Sequence, residues 1–169
     1  MQRLDQAEAA RYRRELLASD QEFSTAWLAG PAKVVVPMEE VADFADDADG
    51  ARILQAFRDL GQTELVAFTS SPLDGGEPDA VRVPATAEAL DAWHRQVPPF
   101  DFVVAAPDLS AAALLSVDEF ALVAGPREFV ESAAGAPLPQ ARAAFAEYAE
   151  DMKDASRHLP SLAVKYGCG

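Results

Sequence analysis

Asparagine is absent from this chain, and cysteine, histidine and lysine are nearly so: 169 residues contain one Cys (Cys168), two His and three Lys. A single thiol forms no internal disulfide, which excludes a disulfide-stapled secreted scaffold. His94, His158 and Cys168 are too few and too scattered for the paired spacing of a structural zinc site, so no metal is expected. No run approaches the roughly 18 consecutive apolar residues of a spanning helix. The stretch Met1–Glu8 lacks the apolar core of a signal peptide. The expectation is a soluble cytoplasmic protein. Few lysines, no asparagine, eleven arginines and many alanines together read as GC-rich coding, hence a bacterial genome. That bias describes the genome and says little about function.

Positive charge is also scarce. Fourteen Lys and Arg stand against 28 Asp and Glu, a formal net charge of −14. Such a surface repels phosphate backbones and anionic membranes, so neither nucleic acid nor a membrane is an expected partner. The best basic patch, Arg3, Arg11, Arg13 and Arg14, is diluted by Asp5, Glu8 and Glu15. A basic protein partner is allowed, and so is plain solubility.

What is present is an ordinary globular composition, 50% hydrophobic and 25% charged, of a length that suits one domain over 1–169. Helices are predicted over 3–18 and, capped by Ser19 or Asp20, through Phe23, Trp27 and Leu28 to Gly30-Pro31. Lys33–Val36 reads as a strand closed by Pro37. Val41 and Phe44, three apart, predict a short amphipathic helix in the acidic stretch, and Asp49 a cap for helix 50–60. Glu64–Thr69 reads as a buried strand, 70–79 as a turn-rich loop and 80–83 as an extended segment. Thr86 caps a helix carrying Leu90, Trp93 and Val97, which Pro98-Pro99 terminates. Strands at 100–106, 112–117 and 120–124 have connections short enough for an antiparallel meander. Helices follow from Pro126 through Val130 and over about 140–155, and the tail 159–169 has too few features to place. The sum is an α+β domain: a mainly antiparallel sheet of about five or six short strands, with helices on one face.

Motifs for chemistry are weak. Asp47, Asp49 and Gly50 match three positions of a calcium-binding loop, but its first and twelfth positions fall on Ala45 and Ala56. Thr69, Ser70 and Ser71 lie at a strand end without the G-x-S-x-G elbow of a nucleophile. Asp91 and His94 share a helix face and would make an acid–base pair. Cys168 has His158 ten residues upstream, but nothing fixes their geometry. Gly75-Gly76 lacks the lysine of a phosphate loop. Pro126 removes a donor from the anion site that Gly125-Pro126-Arg127 would otherwise build. Trp27 and Trp93 sit on apolar stripes and read as core. No cofactor is expected.

Three readings remain. The first is a non-catalytic protein-binding or regulatory module, of inhibitor or immunity type, that docks a basic partner through Glu39, Glu40, Asp43, Asp46, Asp47 and Asp49. The second is a small hydrolase-like enzyme using Asp91 and His94, or the strand-end Ser and Thr. The third is a structural or assembly subunit, with the helix 3–18 face near Leu16, Leu17 and Trp27 as its interface. The acidic stretch and the thin catalytic inventory favour the first.

Overall fold

The computed structural model describes residues 1–30, 33–71, 80–97 and 99–169; Pro31, most of the predicted 70–79 loop including Gly75-Gly76, and Pro98 lie outside them. Long apolar runs make the centre of the sheet. Strands β5 (Glu64–Thr69), β7 (Phe102–Ala105), β8 (Ala112–Leu115) and β9 (Phe120–Pro126) are buried along almost their whole length. With β1 (Gln2–Arg3), β4 (Lys33–Glu39) and β6 (Ala80–Pro84) they form one seven-stranded sheet, ordered β1-β6-β5-β7-β8-β9-β4. Its pairs are antiparallel throughout. The α+β class and the β7–β8–β9 meander are as expected, while the count is seven strands rather than five or six.

The placement of helices differs from the expectation. Alternate residues of each strand feed two separate cores, Leu65 and Ala67 into one and Val66 and Phe68 into the other. Helices α3 (Ala48–Asp59), α4 (Ala87–His94) and α5 (Arg127–Ala134) cover the first face. Helix α1 (Gln6–Leu16), the hairpin β2 (Leu17–Ser19)–β3 (Glu22–Phe23), α2 (Thr25–Leu28) and α7 (Leu159–Lys165) cover the second. Helix α6 (Leu138–Asp151) gives Leu138 and Ala141 to the first core and Phe145 and Ala149 to the second. It therefore passes along the outer strand β4, and so shields an edge that would otherwise be free to pair. Helices lie on both faces, not on one.

Local chemistry accounts for most boundaries. Asp5 caps α1 by accepting from the Glu8 amide at 2.8 Å, and Thr86 caps α4 as expected. Residues 17–23 turn as the β2–β3 hairpin in place of a helix start, and Ser24 caps the single turn of α2. Pro37 lies inside β4, not after it, which an edge strand tolerates because one side of its backbone needs no donor. The tail, which the sequence left unplaced, forms α7, which buries Leu159 and Ala163, and Cys168 joins the same core.

Candidate functional site

Strand polarity puts the C-terminal ends of β4, β5 and β8 and the N-terminal ends of β7 and β9 at one end of the sheet. Among the described residues, 40–47, Ser70 and Ser71, Asp101 and 116–119 meet there. Most of the candidate residues sit on these connections or beside them.

The acidic stretch is not helical until Ala48. Asp43 Oδ1 accepts from the Asp46 and Asp47 amides at 2.7 and 3.0 Å. Asp47, rather than Asp49, caps α3, with Oδ1 accepting from Asp49 N at 2.8 Å and Oδ2 accepting from Ala42 N at 3.0 Å. These bonds satisfy backbone donors that a helix would have used, so short polar side chains win the local competition. The amides of Asp46 and Asp47 hold the Asp43 carboxyl below the usual carboxylate range. Asp49 pairs with Arg52. Glu39, Glu40 and Asp46 are exposed, and among the described residues no ion pair reaches them.

Two acids remote in sequence, Asp118 and Glu119, join this end through the β8–β9 turn. Tyr148 of α6 makes the connection: its hydroxyl donates to Glu119 O at 2.7 Å, and the Glu40 backbone beside it favours the ionised phenol. Burial first, then the charges of Glu119 and Glu39, push the Tyr148 phenol above its ordinary range. The carboxylates add to a shift that burial begins.

Beneath the rim lies a buried polar knot. Asp101, 9% exposed, accepts from Val117 N at 2.7 Å and Ser116 Oγ at 3.0 Å through Oδ1, and from Gln21 Nε2 at 3.0 Å through Oδ2. The Gln21 amide also reaches the Asp118 carboxylate. The strand-end hydroxyls belong to the same region: Ser70 Oγ donates to Asp101 O at 3.1 Å, Thr69 Oγ1 to Ser71 O at 3.0 Å, and Ser71 Oγ to Asp20. Arg13 Nε closes the set on Ser70 O at 2.7 Å. Each hydroxyl donates to a backbone carbonyl or a carboxylate within the fold.

Asp91 and His94 are also occupied. The buried Asp91 carboxylate accepts from Phe44 N at 3.0 Å, fastening the acidic loop to α4. The His94 ring lies against Phe102, with centroids 4.3 Å apart. Burial lowers the His94 pKa below its ordinary 6.5, and the Asp91 charge opposes the shift. The unfolded chain thus binds a proton at a pH where the folded chain does not. Stability is expected to fall as pH drops through 6.5 toward the folded midpoint, and to level off below it. NMR titration of the His94 ring should give a midpoint under 6.5, and His94→Gln should flatten the stability curve in that window.

Cys168 and His158 have separate partners. The Cys168 thiol points to Tyr166 O, and burial raises its pKa. His158 Nε2 donates to Asp118 O at 2.6 Å. Among the described residues, no group of three or more His, Cys, Asp or Glu side chains is placed to hold a metal ion, and no helix is long and apolar enough to cross a membrane. No family model matches the chain, and neither the curated proteins nor the solved structures contain a significant match to it.

The acidic composition of Glu39–Asp49 was legible in sequence; the knot around Asp101 was not. Its members come from residues 13–21, 69–71, 101 and 116–118, and only strand pairing brings them together. The one available signal is a polar residue bracketed by apolar ones, Asp101 between Phe100 and Phe102, at the start of a predicted strand.

Proposed function

We propose that this protein is a non-catalytic binding module that presents the acidic end of its sheet to a basic protein partner, in the manner of an inhibitor or immunity-type protein. The observation that carries the reading is at Tyr148. The phenol bonds to Glu119 O and lies within the charge field of Glu119, Glu39 and Glu40, so acids far apart in sequence act on one side chain. The net charge of −14 extends that field outward and favours fast, steered encounter with a cationic surface. The groups that an enzyme reading would use are already engaged within the fold, Asp91 on Phe44 N and Ser70 on Asp101 O.

Capture on the tagged full chain from its native host, at low and moderate salt, identifies the partner. The affinity of the purified pair is then measured against ionic strength. A loss of about tenfold or more between roughly 50 and 300 mM salt is expected, because exposed charges are screened over a Debye length of about 10 Å at 0.1 M. An affinity indifferent to salt would remove the acidic face from the account.

A further inference from the structure

Where α6 passes along β4, the two elements leave a cavity of about 180 Å³ between them and the start of α3. Met38, Ala141, Ala144 and Phe145 give it apolar walls, and Glu39, Asp49 and Arg52 bring charge to it. The volume limits the occupant. Pockets for drug-sized ligands run roughly 300–1,000 Å³, so this one suits a single extended side chain and not a nucleotide or a folded segment. Met38 and Phe145 are themselves buried, 7% and 2% exposed, so these walls belong to the packed body.

The charges decide what kind of side chain fits. Arg52 pairs with Asp49. Its guanidinium also lies over the C-terminal cap of α5, where a Cβ on Gly135 would come within 2.8 Å of Arg52 Nε. An anion would therefore have to part that pair and sit beside Glu39. Glu39 has no such partner: it is exposed, and among the described residues no ion pair reaches its carboxylate. The lining thus carries one uncompensated negative charge beside apolar walls.

We propose that this cavity is the socket for one lysine side chain of the basic partner, its methylene stem on Met38, Ala144 and Phe145 and its ammonium on Glu39. This rests on the acidic-module reading and adds to it a location and a residue preference. Charge and shape select the occupant together. A carboxylate is repelled, and a neutral aliphatic chain forgoes the attraction of Glu39. Lysine lays its long methylene run on apolar surface while its head stays at the wet rim. That head is a compact point charge, which one carboxylate satisfies, whereas arginine presents a broad planar fork on a shorter stem.

The test titrates the isotope-labelled full chain with butylammonium, which is the lysine side chain on its own. Methylammonium, lacking the stem, and butanol, lacking the charge, are its controls. Butylammonium should bind about tenfold tighter than either, with its largest amide shifts at Met38, Glu39, Ala144 and Phe145. Ala144→Leu fills the cavity from an exposed helix position and should weaken binding about tenfold. Glu39→Gln should weaken it about threefold. Glu40→Gln, at an exposed acid outside the lining, should leave it unchanged. Thermal melts check folding, and Glu39→Gln carries the test if Ala144→Leu does not fold. Two short peptides of equal charge, alternating serine with lysine or with arginine, then test the source. The lysine peptide should reproduce the butylammonium shifts and bind about threefold tighter than the arginine one. Equal binding of butylammonium and methylammonium, equal binding of the two peptides, or shifts mapping elsewhere would overturn the socket, while salt-dependent peptide binding still supported the module. Absence of binding by either peptide at low salt would overturn both.

Discussion

Replacing Gly50 by alanine is expected to destabilise the protein by about 3 kcal/mol, although alanine is the better helix former. Gly50 sits in the first turn of α3, where an open position would gain roughly 0.5–1 kcal/mol from the substitution. Here a Cβ would lie 1.8 Å from Asp43 O and 3.1 Å from Phe44 Cα. Both obstacles are backbone, so no rotamer change relieves the clash. The acidic loop must retreat, drawing Phe44 off Phe102 and its amide off Asp91. Urea unfolding followed by circular dichroism measures the effect. A variant as stable as the parent would show that the loop moves freely and that its packing fixes nothing.

That glycine illustrates which parts of the fold the sequence announces. Helix caps at Thr86 and strand β5 are written in a few adjacent residues, and both lie where the pattern places them. Close approach of two backbones is a tertiary fact, and Asp49-Gly50 read only as a helix start. The same limit explains the missed second layer of helices. Two covered faces make strands apolar at every position, and runs such as Phe102–Ala106 and Ala111–Leu115 do not alternate. Continuous burial was therefore visible in principle, but a run of alanines and valines does not say what covers it. The residues 17–23 turned as a hairpin because Phe23 is drawn into the second core beside Trp27. Tertiary burial there outweighs helix propensity.

The site divides in the same way. The charge of Glu39–Asp49 needs no structure to be seen, but its allocation does. Asp43 and Asp47 spend their carboxylates on neighbouring amides and Asp49 on Arg52, which leaves Glu39, Glu40 and Asp46 to face outward. Asp118 and Glu119 looked like an ordinary turn. They gain their place only because β4 pairs with β9, Glu39 opposite Phe120, across 81 residues of chain. A pairing so distant leaves no local pattern. The charge at this end is thus placed by topology, with composition supplying only its sign.

Asp101→Ala is expected to cost about 3 kcal/mol, the second large effect, and to do so by orphaning donors rather than by opening a cavity. One carboxylate receives the Val117 amide, the Ser116 hydroxyl and the Gln21 side-chain amide, and so ties the β8–β9 turn to the β2–β3 hairpin. Alanine removes both acceptor oxygens and strands all three donors at a site only 9% exposed. Asp101→Asn keeps an acceptor for Val117 N, and the Gln21 amide can turn its oxygen toward the new NH₂. Its cost is therefore expected near 1 kcal/mol. Urea unfolding of both variants separates the explanations, since loss of charge alone would make them equal. The pair of Asp101→Ala with Gln21→Ala should cost clearly less than the sum of the two, because the first change already strands the glutamine. If they add, Gln21 draws its hold from Asp118 instead. The β2–β3 hairpin would then be tied to the β8–β9 turn through Asp118, with Asp101 holding only the turn itself.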